Sequence, residues 1–151
     1  MTKEFVPYEQ ALELKELGFD EPCFGWFRST LIPSNFTEFF LETEFGMNES
    51  PSDWVNSNFL DKACSAPLYQ QAFRWFREKY KLHYSIDYEC SQHDFKWGYN
   101  YTIYNYNQVV KTDEEYITSH PNAPTGEWVY ETHEEAEFAC LNKLIEIVKN
   151  C

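Results

Sequence analysis

From Ser65 to Leu82 the chain reads Ser-Ala-Pro-Leu-Tyr-Gln-Gln-Ala-Phe-Arg-Trp-Phe-Arg-Glu-Lys-Tyr-Lys-Leu, and this run sets terms for the rest of the fold. Pro67 suits a first helical turn, since the N–H it lacks is one that a helix start leaves unpaired. The spacing predicts a helix from Ser65 or Ala66 onward. Tyr69, Ala72, Phe73, Phe76 and Tyr80 fall within about 100° of arc, the width of a buried stripe. Arg74, Arg77 and Lys81 lie on one flank with Gln70, and Trp75 lies on the other with Leu68 and Leu82. An apolar stripe needs a cover, and the next residues offer a sheet. His83 to Cys90 alternate with period two, and Gln92-His93-Asp94 reads as a hairpin connection. The strand after it sets Trp97, Tyr99, Tyr101 and Ile103 on one face and Gly98, Asn100 and Thr102 on the other, an antiparallel pattern with one side buried.

The same reasoning extends to both ends. A first helix is expected from Pro7 to about Leu17, with Tyr8, Ala11, Leu14 and Leu17 as its stripe and Gly18 as a left-handed stop. Cys23 to Arg28 reads as a strand. Within residues 33–60, Phe36, Phe39, Phe40, Leu41 and Phe45 suggest a second strand, followed by a loop near 46–58. Residues 111–126 read as a loop, and Glu127-Trp128-Val129-Tyr130 as a last strand. Thr132 and Glu135 form a capping box, opening a helix with Ala136, Cys140, Leu144, Ile147 and Val148 on its core side and its end near Lys149. The fold class is therefore α+β, an antiparallel sheet with helices packed on one face. Its second half runs helix, strand, strand, strand, helix. That order resembles the double-stranded-RNA-binding domain in topology alone. The last helix opens His133-Glu134-Glu135-Ala136-Glu137, acidic where such a domain carries its basic cluster.

The chain has 151 residues and reads as a single domain over 1–151, large enough for a core without staples. Aromatic residues make up 19% of it, so Phe, Tyr and Trp, each burying about 150–250 Å², must build much of that core. The formal charge is −13, divided as −9 over residues 1–61, +3 over 62–112 and −7 over 113–151. Such a chain is repelled by phosphate backbones, which disfavours nucleic acid as a partner. No run approaches the roughly 18 apolar residues of a membrane span. The N-terminus lacks the basic start and apolar stretch of a signal peptide. Five scattered cysteines, an odd number, point to reduced thiols in a cytoplasm, so the sequons at Asn35, Asn48 and Asn100 are read as chance.

Several groups are candidates for chemistry. Cys90-x2-His93 with Asp94 resembles half a metal site, with His120 or His133 as further donors, but paired spacing is missing and no metal is expected. Cys140 sits on an apolar stripe, where a cysteine is usually a small hydrophobe rather than a nucleophile. Asp113-Glu114-Glu115 and Glu134-Glu135 fit solvation and the helix dipole better than acid–base catalysis. Five glycines, none suitably spaced, exclude a phosphate-binding loop. No catalytic residue and no cofactor is expected. The candidate binding residues are Arg74, Arg77, Lys81 and Trp75: a cationic docking face, with Trp75 or the Tyr-rich strand as an aromatic anchor. Salt bridges to the protein's own acidic termini would explain the cations equally well.

Three segments carry a family resemblance. Phe5 to Leu12 continuing through Leu17 to Cys23, Ala66 to Tyr80, and Tyr130 to Glu137 with Cys140 to Lys149 resemble small uncharacterised proteins of tailed phages and prophages of Bacteroidetes. The resemblance covers roughly half the chain. It implies phage origin, life in the cytoplasm of a bacterial host, and an accessory role binding a host protein, with inhibition of a host defence system as one form. The alternatives are a small-molecule or nucleotide binder or enzyme with a pocket between sheet and helices, and a degenerate RNA-binding module.

Overall fold

The computed structural model describes residues 2–29, 37–41, 55–59, 63–90, 95–105, 116–118 and 130–150. They form three α-helices and two three-stranded antiparallel sheets, an α+β protein. The chain divides into two compact units, Met1–Ala72 and Phe73–Cys151.

In the first unit, α1 spans Tyr8–Glu16 with Pro7 at its N-cap and Leu17 at its C-cap. Gly18 takes φ 86, and the amides of Gly18 and Phe19 donate to the carbonyls of Lys15 and Leu14, both at 2.9 Å. These two bonds satisfy carbonyls that the helix end would otherwise orphan, and they require the left-handed residue that glycine supplies. Leu14 and Phe19 are both fully buried beside this turn. The strands β1 (Gly25–Ser29), β2 (Thr37–Leu41) and β3 (Cys64–Ser65) form a sheet in the order β2-β1-β3. Alternation along β1 sends its aromatics to opposite faces. Phe27 meets the rings of Tyr8 and Phe39 at 5.8 and 5.2 Å, while Trp26 stacks on Phe40 and Phe59 at 4.6 and 5.4 Å. At the start of β1, a Cβ on Gly25 would lie 2.7 Å from the Phe40 carbonyl oxygen, so the β1–β2 approach needs glycine.

Of the second strand expected within 33–60, Thr37–Leu41 is present, while Phe36 and Phe45 lie outside the described residues. Further along, a short 3-10 turn, Asn56–Asn58, is held by side chains. Buried Asn56 donates through Nδ2 to the Phe19 carbonyl at 2.7 Å and accepts the Ser65 amide at 2.9 Å. Lys15 Nζ donates to the carbonyls of Phe59 and Ala63 at 2.9 and 2.7 Å.

The central helix starts later than expected. Ser65 belongs to β3, the Pro67 carbonyl accepts the Val6 amide, and Leu68 bridges Phe5, so α2 spans Tyr69–Trp75. Gln71 Oε1 accepts the Leu68 amide at 3.0 Å, which serves one orphan donor of the helix start. The helix then widens into a π-helical turn, Phe76–Tyr80, and ends on Lys81 at φ 58.

In the second unit that turn leads without a loop into β4 (Leu82–Cys90). β4 pairs along its whole length with β5 (Trp97–Asn105), from Leu82↔Asn105 to Cys90↔Trp97. The third strand, β6 (Tyr116–Thr118), pairs with β5 at Thr102 to Tyr104. It lies inside 111–126, read from sequence as a loop. Three strand-forming residues between Asp113-Glu114-Glu115 and His120-Pro121 are too short a run to stand out from polar flanks. Of the last strand expected at 127–130, only Tyr130 is described. It exchanges two 2.8 Å backbone bonds with Tyr99. The helix–strand–strand–strand–helix order is thus present, with β6 as third strand and α3 (His133–Lys149) as closing helix. Its capping box is formed: the Glu135 amide donates to Thr132 Oγ1, and Glu135 Oε2 accepts the Thr132 amide. α3 packs on β4 and β5 and buries Ala136, Cys140, Leu141, Leu144 and Ile145. The hairpin connection expected at Gln92-His93-Asp94 lies outside the described residues.

Candidate interaction surfaces

The cations of the central helix lie on the second unit. Arg74 lies in the last turn of α2, Arg77 sits in the π-helical turn and Lys81 is the left-handed cap, all three exposed. They do not form the continuous flank of a straight helix. The π-helical turn inserts extra backbone before Lys81, and Lys81 Nζ folds back to donate to the Glu78 carbonyl at 2.8 Å. Arg77 acts on Tyr84: burial raises that phenol's pKa, Glu137 and Cys140 add to the rise, and the Arg77 guanidinium opposes it. Tyr84 itself stacks on Phe73 at 3.9 Å.

Trp75 is not the exposed anchor its flank position suggested. It is 7% exposed and set edge-on to Phe76 and Tyr80 at 5.0 and 5.2 Å. The Trp75–Tyr80 contact spans five residues, the repeat of a π-helix and not of an α-helix. Lys79 covers this pair, its Nζ 4.7 Å from the Trp75 ring centroid and 5.2 Å from that of Tyr80. Straight-helix geometry hid both the burial of Trp75 and the part played by Lys79.

The Tyr-rich strand, the other anchor named, does reach solvent. The face holding Trp97, Tyr99, Tyr101 and Ile103 is buried only in part. Ile103 and Tyr101 lie in the core, Tyr99 is half-buried, and Trp97 is 62% exposed. The reason is the length of the cover. α3 begins at His133, level with Tyr99 through the Tyr99–Tyr130 bridge, so the last rungs of the β4–β5 ladder project beyond it. Tyr88, paired with Tyr99 in the ladder, is 57% exposed. Its ring stacks on Trp97 at 5.5 Å and meets Tyr99 at 4.9 Å; Tyr99 is in turn edge-on to His133 at 5.6 Å. His133 Nδ1 lies 3.6 Å from Glu137 Oε2. Trp97, Tyr88, Tyr99 and His133 thus make one row of rings ending at a carboxylate. The other face of β5 departs from alternation as well: Asn100 is buried there, and its Nδ2 donates to Glu89 Oε2 at 2.9 Å.

Three thiols, Cys23, Cys64 and Cys140, are buried and held in the protonated form. Burial pushes Cys23 and Cys64 up to about 12, opposed by the nearby Ser65 hydroxyl in the first case and by the charge of Lys15 in the second. Burial also raises Cys140, as does Glu137. His93, Asp94 and His120 lie outside the described residues. Among the described residues no group of three His, Cys, Asp or Glu could hold a metal ion, and no helix is long and apolar enough to cross a membrane. No family model, curated protein or solved structure matches the chain.

Proposed function

We propose that this protein is a phage-encoded accessory factor that works in the bacterial cytoplasm by binding a host protein, and that the binding serves to inhibit a host defence system. One observation carries the binding role: Tyr88 and Trp97 stand side by side, more than half exposed, at the hairpin end of the β4–β5 ladder. Large aromatics held in solvent cost hydration free energy that burial would return, and adjacent exposed aromatics mark interaction sites. Tyr, Trp and Arg are also the residues that dominate binding energy at interfaces. Arg74 and Arg77 offer a second exposed face, a cationic one. The phage origin and the host setting rest on the three segments of family resemblance.

Affinity capture from a Bacteroidetes extract tests the reading, comparing the wild-type chain with a Tyr88→Ala/Trp97→Ala variant and, separately, an Arg74→Glu/Arg77→Glu variant. A specific partner should be retained by the wild type and lost from one of the two. If both variants retain every captured protein, neither surface binds and the reading fails.

A further inference from the structure

We infer that the aromatic row at the end of the second sheet takes an arginine-bearing, basic segment of a partner protein. This inference rests on the protein-binding reading above and names the chemistry of what is bound. The first argument is the rings themselves. Trp97, Tyr88 and Tyr99 follow one another at 5.5 and 4.9 Å, so two rings more than half exposed and a half-buried third lie within reach of one extended side chain. The face of an aromatic ring carries negative electrostatic potential, which attracts a cation placed over it, and a planar guanidinium can also stack there. The protein already shows this preference elsewhere, in Lys79 over Trp75 and Tyr80.

The second argument is the charge beside the rings. α3 begins next to Tyr99, and Glu131 and Glu134 are exposed in its approach and first turn, with Glu137 one turn on beside His133. The N-terminus of a helix by itself favours an anion, by about half a charge. Three carboxylates outweigh that half charge, and exposed Lys96, next to Trp97 in sequence, does not restore the balance. The local field is therefore negative.

That sign chooses among occupants. Stacking platforms bind single-stranded nucleic acid only where a positive groove tracks the backbone, and here the phosphates would be repelled. A second copy would bring the same carboxylates against their counterparts across a two-fold axis, within a chain of charge −13. A basic segment meets the rings with cation–π contacts and the carboxylates with ion pairs, and the same field speeds its approach.

The test uses the full chain and a fluorescent ten-residue peptide of four arginines spaced by serine and glycine. Anisotropy follows binding, and the indole N–H signal of Trp97, assigned through Trp97→Phe, reports the place. Saturable binding should shift that signal and weaken as salt is raised. It should fall about tenfold in Tyr88→Ala/Trp97→Ala and by a similar factor in Glu131→Gln/Glu134→Gln/Glu137→Gln, which leaves Glu135 and its capping box intact. The inference is overturned if the peptide fails to bind, or if both variants bind it as well as the wild type. It is equally overturned if a four-glutamate peptide, a uridine oligonucleotide or dilution of the chain alone moves the Trp97 signal instead. The two readings fail separately. If capture is lost on Tyr88→Ala/Trp97→Ala but the arginine peptide does not bind, the basic class falls and the protein-binding role stands.

Discussion

Asn56 is the residue whose loss should most clearly unsettle the first unit. Its amide makes two buried hydrogen bonds, donating to Phe19 and accepting from Ser65, and both partners are fully buried. In Asn56→Ala each bond removed costs about 1 kcal/mol net, and each stranded group adds about 1–3 kcal/mol unless water reaches it. With partial rescue by water, a loss of about 2–4 kcal/mol is expected. Two measurements check it. Urea unfolding should show a lower midpoint at unchanged slope. Native-state hydrogen exchange should show the Ser65 amide losing protection by about 30-fold or more, since about 1.4 kcal/mol is tenfold in an equilibrium. Asn56→Asp separates the two bonds. Its carboxylate still accepts the Ser65 amide but turns an oxygen toward the Phe19 carbonyl. Burial would raise that carboxyl above its unfolded value near 4, so the folded state would bind the extra proton and stability would recover as pH falls toward 4. A midpoint shift in Asn56→Ala worth less than about 0.5 kcal/mol, or unchanged exchange at Ser65, would refute the pinning role.

Two further outcomes follow from backbone and burial. Lys81→Gly should stabilise the second unit by about 0.5–1 kcal/mol, read as a raised thermal midpoint, because a left-handed residue at φ 58 favours glycine and the lost Nζ bond to Glu78 is exposed. A lowered midpoint would show that Lys81 does more than cap. At high pH the buried thiols act against the fold. Cys23 and Cys64 keep their protons to about 12, whereas the unfolded chain ionises them from about 9. The unfolded state then binds fewer protons, so stability is full below about pH 9 and declines as pH rises toward 12. Tyr101, also pushed up to about 12 by burial, adds to the decline. Stability measured across that window should fall steadily, and a flat profile would contradict the burial of these groups.

What the sequence makes legible is what local chemistry decides. Gly18 ends α1 and the Thr132–Glu135 box opens α3, each where the residues indicate, because a cap is made by neighbours in the chain. β4 and β5 are clear from alternation over 83–90 and 97–103, and the structure extends them to nine residues each. The segment around Asn56 is not legible, since it is held by side chains reaching Phe19, Phe59, Ala63 and Ser65 rather than by any periodic pattern. The π-helical turn is equally hidden: Phe76 to Tyr80 carries no proline or glycine to mark it, and the widening brings Tyr80 against Trp75.

The aromatic row shows why a surface resists this kind of reading even on a correctly identified strand. Period-two alternation assigns Trp97 and Ile103 to the same face, and the ladder confirms that assignment. It cannot say that Ile103 is core and Trp97 is surface, because that is decided by how far the covering helix extends along the strands. The limit is written far away in the chain, at Thr132, whose hydroxyl fixes where α3 begins, and at Tyr130, whose two backbone bonds fix the level at which it meets β5. Shifting the helix start toward the hairpin by one turn would carry the cover about 5 Å further, past the Tyr88–Tyr99 rung. The exposed rings are therefore set by two local signals acting at a distance, a cap and a bridge, and not by the composition of the strand that bears them.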